Sequence, residues 1–288
     1  MRDIQNSPDT RGIAIDQVGI RDVSYPIVVL DRSRERQPTV ARISMSVNLP
    51  REFRGTHMSR FIETLERHRG EVTLRTVPAI LTELRQQLQA DVARVEVHFP
   101  YFFERVAPAS GARAVMDYGC RFLGEMRGND ADFRLGVRIP VTSVCPCSKA
   151  ISDRGAHNQR GVVDICVRPR RTPDGGFEFI WIEELVQLGE RSASAPVYPL
   201  LKRVDERHVT MQAYDNPVFV EDIVRNVACQ LRDDPRVESF EVEAVNHESI
   251  HNHSAFARAH GGRWSEDLAR ARPAEDTART ATTDGERK

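Results

Sequence analysis

Two cysteines and a histidine in a polar stretch are the residues of this sequence whose types and spacing best suit chemistry. Cys145 and Cys147 flank Pro146, and His157 lies twelve residues after Cys145. The residues between them favour turns, so a thiol and an imidazole can converge without helical spacing. The pattern therefore indicates a metal or catalytic site, although small cysteines that only fill the core would give the same spacing.

Two ligands do not make a metal site, so further donors must come from elsewhere in the chain. The C-terminal half offers Glu206, Glu221 and the segment His247–His253, which contains Glu248, His251 and His253. Spacing alone leaves both interpretations of the cysteines open. His157 lies in an irregular polar loop, where a buried core histidine is unexpected, so a ligand role is favoured for it.

The overall composition excludes some classes of protein. The chain has 288 residues, with 41 Lys plus Arg against 42 Asp plus Glu and a net charge of -1. This balance gives no general attraction to nucleic acid or membranes, so an anionic ligand must be held by local basic clusters. No 18-residue apolar run or signal peptide is present, and we expect a cytoplasmic protein.

The cysteine count indicates a reducing environment. There are five cysteines, an odd number, in a chain large enough to build a real core, which argues against a disulfide framework. Cys120, Cys166 and Cys229 fall in strand or helix patterns and are predicted to be core residues.

Hydrophobic periodicity predicts an α+β fold made of two similar halves. The first half has the order strand, strand, helix, helix, strand, strand, over Tyr25–Leu30, Thr39–Leu49, Met58–Arg67, Val77–Leu88, Val95–Tyr101 and Ala114–Leu123. The second half has strands and helices over Phe133–Thr142, Gly161–Val167, Ile180–Leu188, Val218–Leu231 and Val237–Val245, with Cys145 and Cys147 in an extended loop. The recurring order suggests two copies of one unit.

The predicted boundaries follow from composition. Residues 1–22 read as a loosely tied arm, residues 23–128 as the first unit, and residues 129–262 as the second unit, which carries the metal site. Residues 263–288 lack an apolar face and are predicted to be a disordered tail, with a short charged helix from Trp264 to Ala271 as an alternative for its start.

Several long sequence blocks resemble the type IB GTP cyclohydrolases, a family of the tunnelling-fold superfamily. The resemblance covers residues 20–262 and rests on Gly55–Phe61, Ser143–Ser148, Ala156–Arg160, Leu201–Glu206, Gln212–Pro217, Phe219–Asp222 and Glu248–His253. It implies tandem tunnelling-fold (T-fold) units, each an antiparallel sheet backed by two helices. It also implies a homo-oligomer, expected to be a homotetramer, whose subunits join their sheets into a barrel-like assembly.

The resemblance also implies a reaction and a metal. The expected reaction converts GTP and water to 7,8-dihydroneopterin triphosphate and formate, the first step of folate or pterin synthesis. The matching positions imply a divalent metal, Zn, Mn or Fe, held by Cys145, His157 and Glu206. Glu206 would otherwise be interpreted as a solvated charge, and Val204 replaces the proline usual in its block. Cys147 is expected to matter less than Cys145.

The remaining site residues are also implied by the resemblance. Glu221 would accept two N–H bonds from guanine, although a helix-surface carboxylate is its ordinary interpretation. His251 and His253 would share a face in an extended segment, and at least one would transfer protons, whereas the ordinary interpretation is a surface pair. The basic residues expected to bind triphosphate are Lys149, Arg154, Arg160, Lys202 and Arg203. His57 and Arg60 match a family block without an assigned step.

Two alternative functions remain open at this point. A nitrile reductase of the same fold class would use a nucleophilic cysteine and NADPH, and formate release without NADPH consumption distinguishes the two enzymes. A non-catalytic zinc-binding interaction module would need a closed four-ligand site, and the sequence lacks the second Cys-x-x-Cys pair that is typical of one.

Overall fold

The first half of the chain forms four long strands and two helices. The computed structural model describes residue 5 and residues 7–33, 35–68 and 71–264. The elements of the first half are β1 (Ile15–Asp31), β2 (Glu35–Leu49), α1 (Ser59–Arg67), α2 (Val77–Leu88), β3 (Val92–Val106) and β4 (Arg113–Arg127). This is the predicted element order, and both helices lie where the periodicity indicates.

The second half adds further strands and four helices. Its elements are β5 (Asp130–Val144), α3 (Pro146–Ile151), β6 (Asn158–Pro169), α4 (Ile182–Ser192), β7 (Ala195–Pro196), α5 (Arg203–Asp215), α6 (Val220–Asp233), β8 (Val237–His247) and β9 (Ser254–Gly261). The sequence patterns predicted β5, β6, α4, α6 and β8. They did not predict α3, β7, α5 or β9.

The strands form one continuous antiparallel sheet rather than two separate ones. Its order is β1-β2-β3-β4-β5-β6-β8-β9, with the short β7 paired to β5. The two halves meet where Arg127 pairs with Asp130 across a two-residue turn. Gly128 in this turn has φ +59°, a backbone conformation that glycine adopts without steric penalty.

The expected N-terminal arm is shorter than residues 1–22. β1 begins at Ile15, which pairs with Leu49, and its pairing with β2 continues to Asp31 opposite Glu35. Residues 15–22 mix polar side chains with apolar ones; Val18 and Ile20 pack against the core, and the backbone pairs with a long neighbouring strand. Even before β1, the backbone N–H of Asp9 donates to the carbonyl oxygen of Glu52 at 3.1 Å.

One face of the sheet forms the core beneath the helices. A row of directly paired buried residues crosses six strands: Ile43, Val97, Phe122, Leu135, Val167 and Phe240. Helices α1, α2, α4 and α6 contribute buried side chains to the same cluster, including Phe61, Leu81, Val186 and Val227. The alternation of side-chain direction along each strand therefore decides which residues face the helices.

The opposite face of the sheet carries charged side chains. Arg121 on β4 binds Asp164 on β6 through two N–H···O bonds of 2.9 and 2.7 Å. Four residues further along β4, Glu125 accepts a hydrogen bond from Arg94 on β3 at 2.6 Å. This face is therefore polar, and these charges are paired both between adjacent strands and across β5.

Helix α4 connects the two halves. Tyr101 on β3 donates its hydroxyl to Glu183 at 2.6 Å, and Tyr118 on β4 donates to Glu190 at 2.9 Å. Both carboxylates are buried, and Arg105 also pairs with Glu190 at 2.8 Å. A helix of the second half is thus bound to strands of the first half.

The cysteines agree with the prediction of reduced thiols, with one correction. All five are free; Cys120 and Cys166 are buried as predicted, whereas Cys229 is exposed on α6. The apolar stripe of α6 passes through Val220, Val224 and Val227, and Cys229 lies outside it. Among the helices in the described part of the chain, none combines the length and apolar character that a bilayer crossing requires.

The start of the predicted tail is attached to the sheet. The guanidinium carbon of the buried Arg134 lies 4.6 Å from the ring centre of Trp264, and Trp264 is half-buried. The prediction that residues 263 onward have nothing to pack against is therefore wrong at Trp264. The rest of that segment, including the alternative helix to Ala271, lies outside the described residues.

Candidate active site

The ends of β5 and β6 place Cys145 next to His157. The last pair of these strands is Val144 with Asn158, so the two candidate ligands are the next residues on either side. The backbone N–H of Cys145 donates to the carbonyl oxygen of His157 at 3.2 Å. The structure thus places the two residues that the spacing singled out next to each other along the backbone.

Cys145 does not lie in an extended loop, as the sequence pattern suggested, but caps a short helix. Helix α3 begins at Pro146, and the Cys145 sulfur accepts the N–H of Ser148 at 3.4 Å. Proline suits this first helical position because its missing N–H has no partner in a first turn. Cys147 is exposed, whereas Cys145 is half-buried, so the two thiols have different environments.

The ring of His157 is oriented by the turn between β8 and β9. Its Nδ1 lies 3.5 Å from the hydroxyl of Ser249 and 3.9 Å from a carboxylate oxygen of Glu248. The other oxygen of Glu248 accepts from the buried Gln159 at 3.4 Å. A histidine whose Nδ1 faces a carboxylate presents Nε2 as a metal ligand, which is the usual arrangement in metal sites.

Glu206 lies on a helix that packs beside this pair. It is exposed in the first turn of α5. One helical turn later, Val209 packs with Ala213 against Val144 and against Ala156, the neighbour of His157. Within the described residues, however, no three Cys, His, Asp or Glu side chains are grouped closely enough to hold a metal ion.

The donor types nevertheless fit a transition metal. A half-buried thiol and an imidazole with its Nδ1 already occupied are suitable ligands for zinc, manganese or iron. The structure brings two of the three predicted ligands together and places the third on an adjacent helix face.

The two candidate proton-transfer histidines are stacked. The ring centres of His251 and His253 are 5.1 Å apart with an interplanar angle of 15°, and both side chains are exposed. The segment is a bend between β8 and β9 rather than a strand, but the rings still face each other. The same turn carries Glu248 and Ser249, so these histidines belong to the surroundings of His157.

Glu221 lies close in the fold to the end of β5. It is the second residue of α6 and is exposed. The segment before α6 is attached to β5, because the N–H of Val218 donates to Val144 at 3.2 Å and the Ser143 hydroxyl donates to the carbonyl of Val218 at 3.0 Å. The start of α6 is therefore held beside the residue that precedes Cys145.

The five predicted phosphate-binding residues differ in their surroundings. The Lys149 ammonium donates to the backbone carbonyl of Tyr214 and lies 4.3 Å from its ring centre. The other four are exposed: Arg154, Arg160, Lys202 and Arg203. Lys149 thus joins α3 to the end of α5, whereas the other four remain accessible to an anionic ligand.

His57 and Arg60 are not brought to this site. They follow the end of β2, which lies at the end of the sheet where β5 begins, whereas Cys145 follows the end of β5. The Arg60 guanidinium donates to the carbonyl of Gln87 on α2. The structure therefore separates this family block from the candidate site by the length of the strands.

Two buried thiols are excluded as nucleophiles. Burial raises the pKa of Cys120 well above its usual range and that of Cys166 to about 11. A thiol that stays protonated at neutral pH neither attacks nor binds a metal readily. Cysteine chemistry at this site therefore falls to Cys145 and Cys147.

Sequence reasoning missed the residues that support the site. Ser148 accepts the backbone N–H of His157 at 3.1 Å, Gln159 holds Glu248, and Asp205 is fully buried in the first turn of α5. For Asp205 a signal existed, because an acid at the third position of a helix often caps its start. The other two had no signal, since serine and glutamine are common in loops.

Comparisons with known proteins agree on the family. A family model described as type I GTP cyclohydrolase FolE2 matches residues 1–257. The GTP cyclohydrolase FolE2 of Syntrophotalea carbinolica is 53% identical over 257 residues, covering 89% of this chain and 94% of that protein. The FolE2 of Pelobacter propionicus is 51% identical over 257 residues, covering 89% and 97%.

Solved structures with a similar fold share little sequence identity with this chain. The uricase from Arthrobacter globiformis has a TM-score of 0.53 and 11% identity, and covers 86% of this chain and 93% of that chain. The urate oxidase from Bacillus sp. TB-90 has a TM-score of 0.53 and 11% identity, covering 86% and 100%. The structural likeness concerns the fold alone, while the sequence match over residues 1–257 shows that the chain belongs to the type I GTP cyclohydrolase FolE2 family.

Proposed function

We propose that this GTP cyclohydrolase opens the imidazole ring of GTP at a divalent metal held by Cys145, His157 and Glu206. Family membership supports the overall reaction, GTP and water to 7,8-dihydroneopterin triphosphate and formate at the start of folate synthesis. The observation that carries the site is the 3.2 Å bond between Cys145 and His157 at the paired ends of β5 and β6. We also propose that the enzyme is a GTP cyclohydrolase of type IB.

The metal is proposed to be Zn, Mn or Fe, all of which accept thiolate, imidazole and carboxylate ligands. Bound there, a divalent ion would act as a Lewis acid and lower the pKa of a water molecule. The water would then lose a proton more readily and become a better nucleophile toward C8 of guanine. Cys145 would bind through its thiolate and His157 through Nε2, with Glu248 and Ser249 on its Nδ1 side fixing the tautomer. Glu206 would complete the set from α5.

Glu221 is proposed to hold the guanine ring. A carboxylate accepts from N1–H and the 2-amino group together, which no neutral side chain does equally well. Its exposure at the start of α6 leaves both oxygens accessible to a ligand. The attachment of Val218 to β5 keeps this position near Cys145.

Proton transfers are assigned to the stacked pair His251 and His253. Imidazole changes its charge near neutral pH and can both accept and donate protons as the ring opens and formate leaves. Their stacking at 5.1 Å keeps the rings on one side of the turn that also contacts His157.

The triphosphate is proposed to bind the exposed basic residues Arg154, Arg160, Lys202 and Arg203. Arginine forms two parallel bonds to phosphate oxygens, and lysine acts as a point charge. Lys149 is also proposed to bind the triphosphate, but its ammonium group already donates to the carbonyl of Tyr214 and is therefore less accessible than the other four side chains.

We also propose that the two halves are tandem T-fold units and that the protein is a homo-oligomer, with a homotetramer expected. Support comes from β1–β4 with α1 and α2, which form a four-stranded antiparallel unit backed by two helices. Within the described residues, the outer edge of β9 is unpaired, and the outer edge of β1 carries only an isolated bridge from Val28 to Glu71. Such edges are suited to pairing with another copy of the chain.

The decisive test of this function combines metal reconstitution with product analysis. Metal-free protein is incubated with GTP before and after addition of Mn²⁺ or Zn²⁺, and neopterin fluorescence after oxidation and phosphatase treatment is measured together with formate. We expect both products in equal amounts only with metal, and no NADPH requirement. Full activity of protein shown by elemental analysis to be metal-free would contradict the proposed metal site.

A further inference from the structure

Helix α5 contains a buried carboxylate directly beside the proposed ligand Glu206. Asp205 is 0% exposed, although Val204 on one side and Glu206 on the other are both exposed. An aspartate buried this completely requires a full set of hydrogen-bond donors.

Its donors come largely from the first half of the chain. One oxygen of Asp205 accepts the backbone N–H groups of Ala109 and Ser110 at 2.8 and 2.7 Å. The other accepts the Ser110 hydroxyl at 2.6 Å and the N–H of Lys202 at 2.9 Å. Ala109 and Ser110 belong to the loop of residues 107–112 that joins β3 to β4.

The four donors satisfy the buried carboxylate, and none of them belongs to a basic side chain. The contact therefore ties the first turn of α5 to the loop of residues 107–112.

Apart from the Lys149 contact with Tyr214 at its end, helix α5 has few other attachments. Its only buried residues are Asp205 and Ala213, and Ala213 packs with Val209 against Val144 and Ala156. Glu206 lies between these two attachments, one residue after Asp205 and three before Val209. Because each residue turns an α-helix by 100°, a rotation or shift of the first turn would change the direction in which Glu206 projects.

We propose that Asp205 is the positioning residue that directs Glu206 toward Cys145 and His157. The loop of residues 107–112 in the first half thereby becomes part of the support of a site whose ligands all lie in the second half. This inference rests on the proposed function, in which Glu206 is the third metal ligand. It explains why a fully buried aspartate stands next to an exposed glutamate on a lightly packed helix.

The test measures metal binding by the full-length protein without substrate. Metal-free samples are titrated with Mn²⁺, and the free ion is measured from its electron paramagnetic resonance signal. The variants are Glu206→Gln, Asp205→Asn and Ser110→Ala, with Thr39→Val as the control. Thr39 donates its hydroxyl to the carbonyl of Pro100 at 2.8 Å, so its change removes a comparable bond of the first half that does not involve α5.

Asparagine at position 205 would turn an amide N–H₂ toward a backbone donor, and alanine at position 110 removes one bond but keeps Asp205. We expect Glu206→Gln and Asp205→Asn each to lower Mn²⁺ affinity on the order of 10- to 100-fold. Ser110→Ala should lower it by about 2- to 10-fold. Thr39→Val should reduce the melting temperature as Ser110→Ala does, yet leave Mn²⁺ affinity at the parent value.

The outcomes separate this inference from the proposed function. Loss of Mn²⁺ affinity in Glu206→Gln alone, with parent affinity in the Asp205 and Ser110 variants, would overturn the positioning role and leave the ligand set intact. Parent affinity in Glu206→Gln would instead remove Glu206 from the ligand set. If Asp205→Asn does not fold, the Mn²⁺ affinities of Ser110→Ala and Thr39→Val are compared instead. Equal affinities in these two variants would overturn the positioning role of Asp205.

Discussion

The backbone N–H of Cys145 donates to the carbonyl oxygen of His157 at 3.2 Å. This bond continues the β5–β6 ladder beyond its last pair, so two strands fix the positions of both Cα atoms. The two candidate ligands are therefore held next to each other at the paired ends of β5 and β6.

Removing the Cys145 thiol should abolish metal binding and turnover while the fold remains. Cys145→Ala is expected to lose most of its bound metal and activity because a thiolate ligand is deleted. Cys147→Ala should have a milder effect, and Cys229→Ala should match the parent, since Cys229 is exposed on α6. Metal content is measured by elemental analysis, turnover by the GTP assay and the fold by circular dichroism. A metal content in Cys145→Ala equal to that of the parent would refute the ligand assignment.

The interpretations of Glu221 as a surface charge and as a guanine ligand predict different kinetics. As a surface charge, its change to Gln should shift stability by less than about 0.5 kcal/mol and leave kinetics unchanged. As the guanine ligand, Glu221→Gln should keep the fold and metal but reduce kcat/KM for GTP on the order of a hundredfold or more, because one acceptor becomes a donor facing an N–H group.

The neighbouring Asp222 provides a matched control for Glu221. Asp222 accepts the N–H of Phe219 at 3.3 Å and caps α6. Asp222→Ala should therefore lower stability by about 0.5–2 kcal/mol with near-parent kinetics. If the kinetic loss appeared in the Asp222 variant instead, Asp222 would replace Glu221 as the guanine ligand.

The tail should be dispensable only beyond Trp264. A chain ending at Trp264 keeps its contact with Arg134, whereas a chain ending at Gly262 loses a cation–π pair at 4.6 Å. We expect the shorter chain to be less stable by about 0.5–2 kcal/mol and the longer one to match the parent in thermal denaturation and GTP turnover. A marked loss on truncation after Trp264 would show that residues 265–288 have a role of their own.

The Tyr101 hydroxyl should stabilise the fold in a pH-dependent way. Burial and the bond to Glu183 raise the pKa of Tyr101 far above 10, so the folded state keeps the proton that the unfolded state loses above pH 10. The stabilisation is therefore fully present below pH 10 and declines as the pH rises further. Tyr101→Phe should cost about 1–3 kcal/mol at pH 7, because Glu183 loses its buried donor.

The difference in unfolding free energy between parent and Tyr101→Phe should shrink above pH 10. Denaturant titrations at neutral and alkaline pH measure this difference. A difference that stayed constant to pH 11 would show that the hydroxyl is not the source of the alkaline loss.

Local sequence patterns predict much of the fold. The spacing of apolar residues predicted α2 at Val77–Leu88, where it lies, and the start of α1 within one residue. Alternation predicted most of the strands, because one face of each is buried by the helices and the other is not. The sequence also identified Cys145 and His157, since a thiol and an imidazole in one turn-rich loop between paired strands must end close together.

The remaining features depend on contacts between residues far apart in sequence. Nothing local to Asp205 reveals that Ser110 of a distant loop binds it, and the polar helix α5 has no apolar stripe to reveal its packing. Likewise, β1 begins at Ile15 because β2 offers hydrogen-bond partners and the core packs against Val18 and Ile20. Sequence periodicity reports which face of an element is buried, whereas the neighbour on that face, and so the position of Glu206 relative to His157, is decided only when the elements pack.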